Sequence, residues 1–156
     1  MHQQLLMVKA FHEKLGVSPT KPMNRDMIVP LLMAAGDVVR ISQELEPLGA
    51  LDERFSRMHL IFEESGELAK AMAEGDIEGV LDALCDLLYV VLGTSVAFDL
   101  PLVEGFNEVH RSNMTKEKQS DDVAAHRIRK KGPNYSPPHL ARILANHGHI
   151  FPKDLL

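Results

Sequence analysis

Five carboxylates stand in two stretches that otherwise read as apolar helix: Glu63, Glu64 and Glu67 in HLIFEESGELAKAM, and Asp82 and Asp86 in LDALCDLLYVVLG. At about 100° per residue, Glu63 and Glu67 fall on one helical face with Glu64 flanking, and Asp82 and Asp86 share a face of the next helix. Two carboxylate faces opposed across a helix pair repel, and desolvating them unpaired costs several kcal/mol each. A divalent cation between them removes both penalties. Ligation by oxygen alone, with no histidine or cysteine at this spacing, points to a hard ion, Mg2+ or its substitute Mn2+, rather than zinc.

The elements that must position these groups read as helix after helix, with no convincing strand. Gln3 to Leu15 carries apolar residues near a 3.6 period and stops at Gly16. After the proline-marked loop SPTKPMN, a second helix runs from about Asp26 or Pro30 to Glu46, ended by Pro47 and Gly49. Leu51 to Glu74 forms a third, with Asp52 as N-cap and Gly75 as stop; Asp76 then caps a fourth that runs to about Phe98. The Gly-Asp turn makes these two an antiparallel hairpin, and that hairpin carries all five carboxylates. A fifth helix spans about Pro101 to Ser112, Asn113 to Pro138 is polar and irregular, and Pro138 to Ala145 forms a last short helix. The expected fold is an all-α bundle of about five helices with an irregular C-terminal segment, one domain over 1–145 and a tail over 146–156.

Composition fits this reading. A chain of 156 residues with 45% apolar and 25% charged content is ordinary for one soluble domain. A single cysteine, Cys85, excludes a disulfide framework, and its apolar neighbours place it in the core. The start MHQQLLMVKAFHEKLG lacks a basic leader and a small-residue cleavage site, and the apolar run near LLYVVLGTSVAF reads as too short and glycine-interrupted to span a bilayer; the expected address is the cytoplasm, with no membrane partner. A net charge of −5 argues against a general nucleic-acid binder. The charge is uneven: 14 of the 22 acidic residues lie between Glu44 and Glu104, while His110 to Arg142 holds 8 of the 17 lysines and arginines. An acidic centre followed by a basic segment suits a polyanionic small substrate carried in by its metal. Solvated surface is the bland alternative for both.

EESGEL in one helix, DALCDLLYVVLGT in the next, then EVHRSNMTK and KGPNYSPPHL, together resemble the all-α nucleoside triphosphate pyrophosphohydrolase superfamily, which includes MazG-like proteins, dimeric dUTPases and phosphoribosyl-ATP pyrophosphohydrolase. The resemblance covers roughly Val8 to Leu140 and implies a helical bundle that binds Mg2+ through EExxE on one helix and ExxD on the next. It implies hydrolysis between the α and β phosphates of a nucleoside triphosphate. Glu63, Glu64 and Glu67 match the first half and Asp86 the final aspartate. The second half departs: Ala83 stands where ExxD has its glutamate, and the nearest carboxylate, Asp82, comes one residue earlier. Asp82 and Asp86 at i, i+4 still share a face.

Attack on an α-phosphorus needs neutralised non-bridging oxygens, an oriented water and a stabilised pyrophosphate leaving group. Carboxylates supply this by holding metal, and one of them, Glu64 with Glu63 as the alternative, orients or deprotonates the water. Positive donors come from the segment after the fifth helix. Arg111, Asn113 and Lys116 have the length and donors to reach phosphate, ribose or base, and the resemblance implies Asn113 and Lys116 as the preferred pair; Lys131 and Tyr135 could clamp phosphate and stack on a base. Structural alternatives are a helix-end role for Arg111 and loop packing for Tyr135. His59, one turn before Glu63, either reaches the site or is a partly buried polar residue of its helix. Met23, Met27, Met33, Met58 and Met72 read as core or interface filler. Wide apolar helix faces such as MIVPLLMAAGDVVRI call for a homodimer or homotetramer. The expected activity is Mg2+-dependent pyrophosphohydrolysis of a (d)NTP to (d)NMP and diphosphate in nucleotide-pool house-cleaning. Its alternatives are a phosphoribosyl-ATP pyrophosphohydrolase-like enzyme and a non-catalytic nucleotide-binding helical dimer.

Overall fold

Gly16 ends the first helix in the left-handed conformation, at φ 66°, and Gly75 ends the third in the same way, at φ 73°. A side chain is strained there, so these two glycines set where the chain turns. Asp52 opens the third helix by accepting from Arg54 N at 2.9 Å, and Asp76 opens the fourth by accepting from Gly79 N at 3.0 Å. In the computed structural model, which describes residues 1–17, 28–118 and 129–148, these signals delimit an all-α chain. Its helices are α1 (His2–Leu15), α2 (Ile28–Leu45), α3 (Glu53–Glu74), α4 (Ile77–Ala97), α5 (Leu102–Met114) and α6 (Leu140–Asn146). A 3-10 turn over Glu46–Leu48 follows α2, with Pro47 inside it. The expectation of no strand is corrected by one short antiparallel ladder, β1 (Glu117–Lys118) with β2 (Arg129–Lys130), in which Glu117 faces Lys130. Two residues a side are too few to show a period of two in the sequence.

The backbone divides into two compact units, Met1–Lys21 with Leu100–Leu156, and Pro22–Asp99. Within the second unit, α3 packs on α2 and on α4. Small residues make these contacts: Ala35, Gly66, Ala71, Ala73 and Ala83 are buried. At Gly66 a Cβ would come within 2.7 Å of Val39 Cγ2, so the missing side chain is what lets α2 and α3 approach. Within the first unit, Phe11 and Leu15 of α1 are buried, α1 packs on α5, and Lys14 donates to the Met114 carbonyl.

A helix contact built from alanine and glycine leaves the larger apolar side chains on outer faces. On α4, Ile77, Leu81, Leu84, Leu88, Tyr89, Leu92 and Val96 are exposed, and so is Cys85, which corrects its expected place in the core. Ala83, two residues away and 3% exposed, marks the face of α4 that is packed. Met33, Met58 and Met72 are exposed as well, so they are not core filler within the single chain; Met23 and Met27 lie outside the described residues. The apolar run is also longer than expected. The helix continues through Gly93 for 21 residues, making α4 long and apolar enough to cross a membrane by length and composition alone, although Asp82 and Asp86 interrupt it near the middle.

Candidate active site: the acidic hairpin

Glu64 is the centre of the carboxylate group. Its Oε2 is buried with no hydrogen-bond partner, one of two such side-chain atoms among the described residues. Burial raises its pKa above the usual glutamate range, and the charges of Glu67, Asp86, Glu63 and Asp82, in decreasing order, raise it further. All four expected neighbours therefore act on the Glu64 carboxyl, two from its own helix and two from across the hairpin. Asp86 acts on it more strongly than Asp82 does.

Those four neighbours are themselves exposed. Among the described residues no three histidine, cysteine, aspartate or glutamate side chains are gathered tightly enough to form a finished cation cage. Unneutralised carboxylates favour separation, and long glutamate side chains on helix surfaces have the rotamers to take it. The donor set suits a hard divalent ion: oxygen only, on two packed helices, around a buried oxygen that lacks any partner. Ala83, which stands where the ExxD pattern has its glutamate, is buried in the packed face of α4 and offers only a methyl group. Asp82 lies on the exposed side and lines a cleft with Asp76, Glu78, Gly79, Leu81 and Cys85.

On the other flank of α3, Glu63 and Glu67 line a cleft of about 270 Å³ against α2, together with Val39, Ser42, Gln43, Glu46 and His59. His59 joins its two walls. Its Nδ1 lies 3.0 Å from the Ser42 carbonyl oxygen and 2.9 Å from Ser42 Oγ, and its Nε2 is 3.8 Å from Glu63 Oε2. Ser42 Oγ donates in turn to the His59 carbonyl at 3.0 Å. Ser42 is one of two buried polar residues among the described residues, and nothing in its sequence neighbourhood marks it, because its partner lies 17 positions away on another helix.

The other residues expected to meet a nucleotide belong to the first unit. Arg111 has its donors engaged: it grips Glu108 through Nε and Nη2, both at 2.8 Å, and reaches Ser136 Oγ at 3.0 Å and the Pro137 carbonyl at 2.8 Å. Glu108 also accepts from His139 N at 2.8 Å, and Ser136 N donates to Thr115 Oγ1 at 2.9 Å. The loop after β2 is thereby fastened along α5. The bidentate guanidinium of Arg111, with the His139 amide, holds Glu108 down at about 2. Glu108 escaped the sequence reading although it precedes Arg111 by three positions, the spacing of a helical ion pair. Lys116 Nζ donates to Asn113 Oδ1 at 2.6 Å, and Lys131 Nζ lies 4.9 Å from the centre of the Tyr135 ring, a cation–π contact.

Residues 42–113 match the family model of phosphoribosyl-ATP pyrophosphohydrolase. The match spans α3, α4 and all of α5 but its last residue, and contains all five carboxylates, His59 and Ser42. This segment is therefore similar to the MazG-like, all-α nucleoside triphosphate pyrophosphatase superfamily, to which the matched family belongs. Members of the matched family are pyrophosphohydrolases, hydrolases acting on phosphorus anhydrides, and they generally use divalent metal ions. Lys116, Lys131 and Tyr135 lie beyond the matched residues. No curated protein and no solved structure is significantly similar to the chain.

Proposed function

We propose that the protein is a Mg2+-dependent nucleoside triphosphate pyrophosphohydrolase that splits a (d)NTP into (d)NMP and diphosphate in nucleotide-pool house-cleaning. The observation that carries this reading is the buried, partnerless Oε2 of Glu64 with four carboxylates acting on it, inside the segment that matches a pyrophosphohydrolase family. Glu63, Glu64, Glu67 and Asp86 would hold the ion, with Asp82 in place of the glutamate that Ala83 does not supply. When bound there, such an ion would supply Lewis-acid neutralisation of the triphosphate oxygens. Glu64 orients the attacking water and accepts its proton, with Glu63 as the alternative base. A raised pKa suits that role, because a more basic carboxylate takes the proton better. We assign nucleotide contacts to Asn113, Lys116, Lys131 and Tyr135, and to Arg111 the fastening of the loop that carries Lys131 and Tyr135.

The matched family model itself favours a second reading, phosphoribosyl-ATP as the substrate. Measuring kcat/KM for phosphoribosyl-ATP beside a panel of canonical and damaged nucleoside triphosphates separates the two. A preference of about tenfold or more for a triphosphate supports the first reading, and the reverse preference the second. Binding of a non-hydrolysable nucleotide with Mg2+ by calorimetry, without turnover of any candidate, supports a nucleotide-binding module instead.

The proposal includes a homodimer or homotetramer in the cytoplasm. The exposed row Ile77, Leu81, Leu84, Leu88 and Leu92 follows helical spacing along α4, and a contiguous apolar face of this kind marks an interaction surface. Light scattering of the purified protein reads the oligomeric state; a monomer at micromolar concentration contradicts it.

A further inference from the structure

Both ring nitrogens of His59 face acceptors on different elements. At Nδ1 the neighbour is a backbone carbonyl of α2, Ser42 O at 3.0 Å, so the ring donates there. At Nε2 the neighbour is Glu63 Oε2, at 3.8 Å. That distance is within ion-pair range for a ring protonated at both nitrogens, since Nδ1–H is already given to Ser42 O, and it is longer than a hydrogen bond, as contacts in an unliganded site often are. The Ser42 end is held: its Oγ is bonded to the His59 carbonyl, the residue is 3% exposed, and it lies on α2 where that helix packs on α3. A half-buried ring anchored at one end has little freedom at the other.

We propose that His59 is a positioning residue, a strut from the α2 backbone that fixes the direction of the Glu63 carboxylate and so sets how tightly the hairpin holds a divalent cation. The inference rests on the proposed role of Glu63 as a ligand. It differs from a merely structural role for His59, in which only the Ser42 end matters to the molecule. The two ends separate by substitution. Asn at position 59 keeps an amide donor where Nδ1 stands and leaves nothing at Nε2; Gln places its amide near the Nε2 position and gives up the Ser42 contact.

The test is Mn2+ binding to the full chain, read by electron paramagnetic resonance without nucleotide, with helical circular dichroism as the folding control. Losing an outer partner of a ligating carboxylate typically costs about 10–100-fold in metal affinity. A positioning role predicts that His59→Asn weakens Mn2+ binding at least about tenfold while His59→Gln stays within about threefold of wild type. It also predicts that His59→Asn adds little once Glu63→Gln is in place, because the two act as one unit. Wild-type affinity in His59→Asn, or equal weakening in both variants, overturns the proposal. Mn2+ binding without pyrophosphate release by the wild type would sink the proposed activity while leaving the strut to stand or fall on the variants; a wild type that binds no Mn2+ overturns both.

Discussion

Glu64 and Glu108 are both partly buried glutamates on helices, and their surroundings drive them in opposite directions. Glu108 meets the bidentate guanidinium of Arg111 and the amide of His139, and its carboxyl is held down at about 2. Glu64 meets burial and four like charges; its pKa rises and one oxygen has no partner. The first arrangement is complete. Its charges are spent within the protein, and what they achieve is to fasten residues 136–139 to α5. The second is incomplete as a piece of protein alone, since burial and every charge acting on Glu64 push its pKa in the same direction. Natural structures retain such unsatisfied groups where a ligand, an ion or a reaction uses them.

Substitutions test whether that contrast is real, and the largest effect belongs to the hairpin. Glu64→Gln and Asp86→Asn are each expected to lower pyrophosphate release by about 100-fold or more, with helical circular dichroism unchanged. Asp82→Asn should cost less than Asp86→Asn, following the weaker action of Asp82 on Glu64; equal losses would make Asp82 a full replacement for the missing glutamate. Next in size is Gly66→Ala. Its added methyl meets Val39 at 2.7 Å, and the overpacking should cost about 1–3 kcal/mol in denaturant unfolding.

Smaller effects come from pH, with opposite signs in the two regions. The folded state binds the Glu64 proton more tightly than the unfolded chain does, so in metal-free protein its contribution is present below the ordinary value of 4.5 and is lost as pH rises through the raised pKa. Thermal melts of wild type and Glu64→Gln should therefore diverge above pH 4.5, with wild type losing ground, and Mg2+ should close the gap. Glu108 is the mirror case and the smallest effect. Its contribution is present above 4.5 and lost as pH falls toward about 2, so Glu108→Gln should melt below wild type at neutral pH and converge with it in acid.

Much of this was legible in the sequence because capping and turn chemistry are local. Asp52, Gly75 and Asp76 delimit α3 and α4 within a residue or two of expectation, and Pro101 opens α5 as its fixed φ suggests. The carboxylate spacing put five groups on one hairpin, and four of them act on the fifth. What stayed hidden depends on which face of an element meets another. LDALCDLLYVVLG is apolar around most of its circumference, so periodicity could not tell that Ala83 faces the neighbour and Cys85 faces out. The Ser42–His59 link and the Ser136–Thr115 link join positions 17 and 21 apart, and no local signal announces either.

The central claim is that the α3–α4 hairpin supports metal-dependent cleavage between the α and β phosphates. Phosphorus-31 nuclear magnetic resonance of the products made by the purified protein from its best nucleoside triphosphate, run with Mg2+ and again with excess EDTA, tests it most directly. The expected result is nucleoside monophosphate and diphosphate in Mg2+ and no products in EDTA. Nucleoside diphosphate with orthophosphate, or an undiminished rate in EDTA, would contradict the account.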